Sequence, residues 1–243
     1  MQYAKDHAEL YDLVFRSRGK DFAAEAEALT ELARSRFPAA RSLLDVACGT
    51  GAHLETFRHL FDEVAGFELA EAMRAVAQAR LPDVPIHAGD MRRLELGRSF
   101  DVLVCMGNSV ACMPDPADLD TAIAGMAAHV VPGGVVIVEP WWFPADFIDG
   151  YVDGHLMKEN DRVVSRITRS VREGGVTRME VKFTVADASG ITDFTDLLQV
   201  TLFERDDYRS AFERAGCTVE FVPGLRLASG RPNSPGLFVG TRK

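Results

Sequence analysis

The sequence predicts an α/β protein: a doubly wound, mostly parallel sheet of seven strands with an inserted antiparallel β subdomain. After Pro38, short apolar runs alternate with longer amphipathic ones, the order expected of parallel strands joined by crossover helices. The short runs are apolar on both faces, as strands covered by helices on both sides are. From about residue 150 to 203, apolar and polar residues alternate instead, which is typical of antiparallel hairpins.

The elements follow in order along the chain. Residues 7–36 have helical spacing with a break at Gly19. The predicted strands of the main sheet are 42–46, 64–67, 86–88, 101–106, 134–139, 218–222 and 237–240. The predicted helices are 51–60, 70–80, 116–130 and 206–215, the last of them capped by Asp206.

The alternating region predicts an insertion in this sheet. Its predicted strands are 162–172, 176–186 and 191–203, separated by the turn signals Gly174-Gly175 and Ser189-Gly190. We therefore expect a main domain of residues 1–140 and 204–243. The insertion, residues 141–203, is expected to cover or shape a ligand pocket.

Composition and charge exclude several classes of function. The net charge of −9 argues against a nucleic-acid partner, because neutralising phosphates requires a Lys/Arg surface. The four cysteines form no C-x-x-C pair and the six histidines no ligand pattern, so neither a disulfide framework nor a metal is expected. The N-terminus lacks the apolar region of a signal peptide, and no run of about 18 apolar residues occurs. A cytoplasmic protein without a membrane segment is predicted.

A glycine-rich turn, Asp45-Val-Ala47-Cys-Gly49-Thr-Gly51, joins the first predicted strand to a helix. Glycines let the backbone turn sharply and approach a ligand closely. The helix N-terminus suits an anion such as a carboxylate, and Asp45 can accept a hydrogen bond from an ammonium. The turn lacks the G-x-G-x-x-G spacing of dinucleotide-binding proteins, because Ala47, Ala52 and Leu54 occupy the required positions.

Two further acidic residues follow the next two predicted strands. Glu68 stands about 20 positions after the turn, where a carboxylate can accept both hydroxyls of a ribose. Asp90 and Met91 follow the third strand, so that Asp90 can accept an adenine amino group while Met91 gives the ring a polarizable surface. Taken singly, Glu68 is equally well a solvated loop carboxylate, and Gly89-Asp90-Met91 a simple turn.

Together these motifs resemble the class I S-adenosylmethionine (SAM)-dependent methyltransferases over about residues 40–140. The resemblance extends over nearly the full length to the nucleotide-amino-sugar N-methyltransferases of antibiotic biosynthesis. It rests on LLDVACGTG (43–51), EPWWFP (139–144), SVREGGVTRMEVKFTV (170–185), LFVG (237–240) and the N-terminal ELYDL and RGKD. These enzymes methylate sugar amines carried on thymidine diphosphate (dTDP), leaving S-adenosylhomocysteine (SAH) as product.

The resemblance implies a set of cofactor contacts. Tyr3 and Tyr11 are implied on an N-terminal segment that closes over the cofactor, where aromatic faces suit a sulfonium cation. Periodicity alone also allows Tyr11 to be a core residue beside Val14 and Phe15. Within the glycine turn the candidate contacts are Asp45, Ala47, Gly49 and Gly51. Beyond it they are Glu68, Leu69, Asp90, Met91 and Met106.

The acceptor site is expected beyond the fourth and fifth strands. The candidates there are Asn108, Ser109, Cys112, Trp141 and Trp142, although a Trp can also plug the junction with the insertion. Arginines of the insertion and the C-terminal loop are candidates for gripping a diphosphate, chiefly Arg166, Arg178 and Arg231, with Arg169, Arg172 and Arg226 as further ones.

Two segments depart from the pattern of the sugar enzymes. Cys112 stands where those enzymes commonly have His or Tyr, and the C-terminal loop 224–235 is longer than usual. We interpret Cys112 as a small residue lining the pocket, because no neighbouring motif would activate a thiolate. Glu139 is the candidate catalytic residue, as an orienter or as the proton acceptor after transfer.

The alternatives are a methyltransferase for another small-molecule amine or hydroxyl, and a SAM-binding protein without catalysis. Nucleic-acid methylation is disfavoured, because GNSV follows the fourth strand in place of an Asn/Asp-Pro-Pro-aromatic run. The sequence leaves open the sugar, the amine position, the number of methyl groups and the oligomeric state, a homodimer included.

Overall fold

The computed structural model describes residues 5–243, with side chains from Ala8 onward, as two β-sheets with helices on both faces of the larger one. The helices are α1 (Lys5–Ser17), α2 (Phe22–Arg34), α3 (Leu54–Leu60), α4 (Glu71–Arg80), α5 (Pro116–Ala128) and α6 (Arg205–Arg214). The strands are β1 (Ser42–Val46), β2 (Glu63–Glu68), β3 (Ile86–Ala88), β4 (Phe100–Cys105), β5 (Val130–Val138), β6 (Tyr151–Glu159), β7 (Arg162–Glu173), β8 (Val176–Asp187), β9 (Gly190–Thr201), β10 (Cys217–Val222) and β11 (Leu237–Arg242).

The larger sheet has seven strands in the order β10-β11-β5-β4-β1-β2-β3. Strands β1 to β5 pair in parallel, and β11 runs antiparallel to both β5 and β10. The predicted fold class is therefore confirmed. The chain leaves β1 toward β2 and β3 on one side and returns to β4 on the other, so the strand order reverses at the carboxyl ends of β1 and β4. Ligands of open α/β sheets bind at such a point.

Burial on both faces explains why these segments are strands. In β1 the residues from Leu43 to Val46 are all buried, and in β4 those from Val102 to Cys105. One apolar cluster lies between the sheet and helices α5 and α6, and a second lies between the sheet and helices α2 and α3. Strand β5 begins at Val130, four residues before the predicted start, because its pairing with β4 resumes after an irregularity beside Pro132-Gly133.

The helix ends agree with local capping, with one correction. Asp21 caps α2 by accepting from the backbone N–H groups of Ala23 and Ala24, and Asp115 caps α5, which begins at Pro116. The predicted cap of α6 at Asp206 is wrong, because Glu204 is the N-cap residue. Asp207 accepts from the Glu204 backbone N–H at 2.8 Å, which starts the helix earlier.

The smaller sheet is an antiparallel meander in the order β6-β7-β8-β9. The sequence predicted three of these strands and missed β6. On β6 the inward-facing Asp153 and His155 are polar, whereas the outward Val152 and Leu156 are apolar. This reverses the usual pattern of a half-buried strand and hides it from sequence reasoning. The inner face of the sheet packs on α1, where Leu10 and Val14 meet a buried apolar cluster.

None of the helices in the described part of the chain has the length and apolar character that crossing a membrane requires.

Candidate active site

A cavity of about 510 Å³ lies at the carboxyl ends of the central parallel strands. The glycine turn and the ends of β2 and β3 form one wall. The loops after β4 and β5 form the floor, and the inner face of the smaller sheet forms the opposite wall. Helix α1 and the C-terminal loop close the rim. The cavity therefore joins the predicted cofactor region to the predicted acceptor region.

The backbone of the glycine turn is held in a tight left-handed path. Ala47, Gly49 and Gly51 all have positive φ, between 56° and 74°. The N–H groups of Ala47 and Cys48 donate to the carbonyl of Phe67, at 2.7 and 3.2 Å, which ties the turn to the end of β2. Ala47 has a side chain in a conformation that favours glycine, and such strain persists where the surroundings enforce it.

Glu68, the last residue of β2, connects the parts of this wall through two hydrogen bonds. Its carboxylate accepts from the backbone N–H of Gly49 at 3.0 Å and from that of Ala70 at 2.8 Å. The side chain is buried against the protein but lines the cavity. Each oxygen keeps a lone pair for a second donor, so the carboxylate is fixed in place and still able to receive two hydroxyl groups.

Asp45 lies below Glu68 in a small recess of about 20 Å³ that Lys20 and Met106 also line. The Oδ2 atom of Asp45 is buried and has no hydrogen-bond partner among the described residues. Burial, and then the charge of Glu68, raises the pKa of Asp45 well above its ordinary value. An orphaned buried carboxyl oxygen suits the ammonium at the amino-acid end of SAM.

Lys20 belongs to a buried polar group beneath the turn. Its Nζ atom lies 2.7 Å from Glu25, and His53 Nε2 lies 2.9 Å from the same carboxylate oxygen. Burial by itself would raise the pKa of Glu25, but the hydrogen bond with His53 and the charge of Lys20 lower it below its ordinary value. Glu25 therefore stays charged, and its ion pair with Lys20 holds the lysine at the recess.

The remaining predicted cofactor residues on this wall are Leu69, Asp90 and Met91, and all three line the cavity. Arg92 donates to Asp90 through its side chain and its backbone N–H, with both contacts to Oδ1 at 3.0 Å. The hydrogen bond from the Arg92 side chain lowers the pKa of Asp90, so this carboxylate is charged and fixed in orientation. It keeps acceptor capacity for an amino group.

Helix α1 places Tyr11 over the cavity. The next residue, Asp12, accepts from the Thr50 hydroxyl at 2.6 Å and forms an ion pair with Arg80, which fastens the helix to the glycine turn. The Tyr11 ring packs on Phe15 with centroids 4.6 Å apart. Its hydroxyl lies close to the backbone of Gly107. Tyr3, the other predicted tyrosine, lies outside the described residues.

Two predicted contacts are placed away from the cavity. Gly51 faces α4, where an added Cβ would meet Leu81 and Ala77 at 3.2 and 3.3 Å, so its role is the turn and its packing. Arg178 lies on the outer face of the smaller sheet, because it is opposite Val171 in the β7–β8 register, and it pairs with Glu173 at 3.2 Å. The sequence identified a strand of alternating residues here but not which face points inward.

The predicted acceptor residues Asn108, Ser109, Cys112, Trp141 and Trp142 all line the cavity. Asn108 has a left-handed backbone with φ 60°, and its Nδ2 atom donates to the carbonyl of Pro140 at 2.6 Å. Trp141 Nε1 donates to the Thr177 hydroxyl at 3.3 Å, which connects the floor to the smaller sheet. Burial raises the pKa of the Cys112 thiol, in agreement with a neutral lining residue.

Glu139 is fully buried beneath the floor and is not part of the cavity wall. One carboxylate oxygen accepts from the backbone N–H of Gly107 at 2.8 Å, and the other accepts from Asn233 Nδ2 at 2.9 Å. The side chain therefore joins the β4 loop to the C-terminal loop. This placement favours the orienting role predicted for Glu139 over that of a proton acceptor, because substrate cannot reach it.

Cations converge at the opposite side of the cavity. Arg166 is nearly buried on the inner face of β7, and Arg231 lines the cavity from the C-terminal loop. Arg18, which no sequence pattern indicated, follows α1 and also lines the cavity. Neither Arg18 nor Arg231 forms an ion pair with a carboxylate among the described residues. Of the further candidates, Arg172 and Arg226 donate to backbone carbonyls of their own turns, and Arg169 points outward.

Sequence reasoning missed further polar residues of the inner wall. Asp153 and His155 on β6 line the cavity, with Asp153 Oδ2 3.1 Å from His155 Nε2. Thr168 and Ser170 face the same space from β7. The sequence of β6 gives no clear signal for them, because Leu156-Met157 interrupts the alternation, and the alternating burial appears only in the folded strand.

Comparisons with known proteins fit this geometry. A methyltransferase-domain family model matches residues 43–134. The chain is 50% identical over 240 residues to the dTDP-4-amino-2,3,4,6-tetradeoxy-D-glucose N,N-dimethyltransferase of Saccharopolyspora spinosa, covering 99% of this chain and 94% of that protein. It is also 50% identical over 239 residues to the dTDP-3-amino-3,4,6-trideoxy-alpha-D-glucopyranose N,N-dimethyltransferase of Streptomyces venezuelae, covering 98% of each.

A solved structure is similar over nearly its whole length. SAM-bound CalS10, an amino pentose methyltransferase from Micromonospora echinaspora, shares 47% identity and superposes with a TM-score of 0.87. The match covers 96% of this chain and 97% of that one.

Proposed function

From the fact that the chain belongs to the SAM-dependent N-methyltransferases of nucleotide-linked amino sugars, we propose that it methylates the amine of a dTDP-linked amino sugar in antibiotic biosynthesis. The observation that carries this proposal is the full-length identity of 50% to two enzymes named for that reaction. The cavity supports it, because residues suited to a charged nucleoside cofactor and arginines suited to a diphosphate carrier line the same space.

SAM supplies the electrophilic methyl group when it is bound, and Asp45, Glu68 and Asp90 are the residues placed to hold it. The protein's own contribution is alignment, since the free amine is itself the nucleophile. Tyr11 and Asn108 border the space between the two halves of the cavity. The same proposal gives cofactor-binding roles to Ala47, Gly49, Leu69, Met91 and Met106.

The carrier's diphosphate is assigned to the cationic side of the cavity. Arg231 and Arg18 have no carboxylate partner among the described residues, and Arg166 lines the same cavity from β7, opposite His155 of β6. The backbone of Gly19 accepts from Ala228 N–H at 2.8 Å, which joins the segment of Arg18 to the loop of Arg231. A planar guanidinium binds phosphate oxygens bidentately, so the two arginines suit this ligand.

Replacing Arg231 with alanine is expected to raise the KM for a dTDP-amino sugar about tenfold or more, because charge-assisted hydrogen bonds to a phosphate are lost. Arg18→Ala is expected to act in the same direction. SAH affinity, measured by calorimetry, should stay at the wild-type value in both variants. The matched control is Arg209→Ala, whose side chain lies on exposed α6. A wild-type KM in both arginine variants would contradict the assignment.

The affinity for SAH is expected to decrease as pH falls. The decrease should begin at a higher pH than it would if an ordinary carboxyl group were responsible. The raised pKa of Asp45 means that this group loses its charge first, and a protonated Asp45 binds an ammonium less well. Asp45→Asn should weaken binding at neutral pH and remove this dependence. Titration calorimetry across the acidic to neutral range measures it, with exposed Asp161→Asn as control. An unchanged pH dependence in Asp45→Asn would show that another group is responsible.

The function is tested by incubating the protein with SAM labelled in its methyl group and a panel of dTDP-sugars with 3-amino, 4-amino or no amino groups. Transfer restricted to the amino sugars, with a mono- or dimethylated product by mass spectrometry, supports the proposal. Transfer only to another small-molecule amine or hydroxyl supports the first alternative. Tight SAH binding with no transfer to any acceptor supports a non-catalytic SAM-binding protein.

The partners of the protein are otherwise predictions. The absence of a nucleic-acid partner and a cytoplasmic location are expected from charge and sequence. A homodimer is also proposed.

A further inference from the structure

The proposed function gives no role to the polar side chains on the inner face of β6 and β7. Asp153 and His155 on β6, and Thr168 and Ser170 on β7, all line the cavity. The residues of β8 and β9 that line the same cavity are apolar. This wall is therefore divided into a polar and an apolar half, and the polar half suits a ligand group that forms hydrogen bonds.

We propose that Asp153, held by His155 and assisted by Thr168, recognises a hydroxyl group on the sugar ring of the acceptor. The protein then selects amino sugars that keep a ring hydroxyl over their deoxygenated analogues. This inference rests on the proposed function and deepens it, because it says which dTDP-linked amino sugars the site accepts.

The carboxylate of Asp153 is fixed in orientation and open to the cavity. Its Oδ1 atom accepts from the Gly154 N–H at 2.9 Å, and its Oδ2 atom lies 3.1 Å from His155 Nε2. A carboxylate only accepts hydrogen bonds, so Nε2 carries the proton in this pair. The Asp153 side chain is 25% exposed, and each of its oxygens keeps a lone pair. It is ready to receive one more donor.

Strand β7 runs from the cationic side of the cavity to its floor. At one end the Arg172 N–H donates to the Asp149 side chain at 2.7 Å, which joins β7 to the loop after β5. At the other end Val164 packs with Val14 of α1, in the turn of the helix before Arg18. The inner residues of β7 therefore mark positions between the two halves of the acceptor site.

Asp153 lies between the floor and the arginines assigned to the diphosphate. Along the inner face of β7 the order is Ser170 toward the floor, then Thr168, then Arg166 toward α1, in steps of about 7 Å. Asp153 is directly opposite Thr168, the middle residue. In a dTDP-sugar the sugar ring connects the diphosphate to the reacting amine, so this middle position is that of the ring.

Charge and direction identify the group that Asp153 meets. Among the described residues of the smaller sheet that line the cavity, Asp153 is the one carboxylate, and it would repel a phosphate. The reacting amine must point toward the cofactor wall, which is opposite this sheet. The donors left on the ring are its hydroxyl groups.

Thr168 provides a second and independent observation. Its side chain is 5% exposed, and its Oγ1 atom has no hydrogen-bond partner among the described residues. Buried polar groups in native proteins are nearly always paired, so an orphaned hydroxyl beside a cavity indicates a partner that arrives with the ligand. Directly opposite residues have Cβ atoms about 5 Å apart, so one ligand hydroxyl can donate to Asp153 and accept from Thr168.

The test uses pairs of acceptors that differ only in their ring hydroxyls. dTDP-3-amino-3,6-dideoxyglucose is compared with its 2,3,4,6-tetradeoxy analogue, and dTDP-4-amino-4,6-dideoxyglucose with the corresponding tetradeoxy sugar. For the amine position that the protein methylates, kcat/KM should be at least tenfold higher for the hydroxylated member. The deoxygenated analogue leaves the polar groups of the wall without a partner.

The decisive quantity is the ratio of the two kcat/KM values in each variant, because the intrinsic reactivity of the two amines is the same for every variant. Asp153→Ala should lower kcat/KM for the hydroxylated sugar tenfold or more and affect the analogue much less. Thr168→Val, which keeps the shape of the side chain, should act in the same direction.

His155 is expected to act as a positioning residue. His155→Leu should lower the ratio, whereas His155→Gln should restore most of it, because the glutamine amide can still donate to Asp153. Asp161→Ala, at an exposed position in the turn between β6 and β7, is the matched control and should keep the wild-type ratio. SAH affinity, measured by calorimetry, checks that each variant is folded.

The same ratio in the wild type and in Asp153→Ala would overturn the inference. Weaker binding of dTDP alone by Asp153→Ala would also overturn it, because the carboxylate would then contact the nucleotide. Transfer to no member of either pair would instead contradict the proposed function. In that case the affinities of the SAH complex for the same pairs still decide, and equal affinities would overturn the inference.

Discussion

Replacing Glu68 with alanine is expected to weaken SAH binding by about 10²-fold or more and to abolish methyl transfer at ordinary cofactor concentrations. A carboxylate that receives two ribose hydroxyls contributes about 1.5–3 kcal/mol for each charge-assisted hydrogen bond. In this protein the carboxylate is preoriented, because Gly49 and Ala70 already donate to its two oxygens at 3.0 and 2.8 Å. Little ordering remains to oppose binding.

The same substitution removes the link between the glycine turn and the end of β2. Gly49 and Ala70 would each lose the acceptor of a backbone N–H, so a lower melting temperature is expected as a separate effect. Titration calorimetry measures the affinity and thermal unfolding measures the stability. Glu71→Ala, a change at the exposed position at the start of α4, is the control. Wild-type affinity in Glu68→Ala would exclude this carboxylate from the cofactor site.

Replacing Glu139 with alanine is expected to have the second largest effect, on acceptor turnover instead of cofactor affinity. Two part-buried donors, the Gly107 N–H and the Asn233 amide, would lose their acceptor. Each unsatisfied buried group costs about 1–3 kcal/mol, so both the β4 loop and the C-terminal loop should shift. We expect kcat/KM for the amino sugar to fall by about 10²-fold, because small misplacements of the reacting groups are costly. SAH affinity should change little.

Glu139→Gln separates the two roles that the sequence allowed. A glutamine keeps the shape and one acceptor oxygen for Gly107, and the Asn233 amide can rotate to offer its oxygen to the new NH₂ group. A positioning role therefore predicts turnover near the wild-type value at every pH. A proton-acceptor role predicts that glutamine is as damaging as alanine, with an altered pH profile. The pH dependence of kcat/KM for both variants decides between them.

Much of the cofactor half of the site followed from sequence because it depends on strand ends. Asp45 lies near the end of β1, Glu68 ends β2 and Asp90 follows β3, and parallel strands bring their carboxyl ends to one edge. Once the strands were recognised, the proximity of the three carboxylates was a consequence of topology. The hydrogen-bond partners of those carboxylates could not be predicted in the same way. The path of the backbone across the turn leaves Asp45 without a donor and gives Glu68 two.

The acceptor half depended on contacts between distant segments. Alternation identifies which residues of a strand share a face but not which face points inward, and this explains why Arg178 was selected. Asp153 and His155 were missed because β6 itself was not predicted. The segment of Arg18 is joined to the C-terminal loop by the hydrogen bond from the Ala228 N–H to the Gly19 carbonyl, more than two hundred positions apart. No local pattern encodes such a pair.

The sequence by itself determined the fold class, the cofactor turn and the family of this protein, since each rests on local pattern or on motifs read within a few residues. The tertiary structure decided which arginines face the cavity, that Glu139 supports the floor from below, and that the apolar residues of β6 and β9 share an exposed face. The physical reason is the same throughout. Burial and hydrogen bonding are properties of packed surfaces, so they are defined only once distant parts of the chain have packed together.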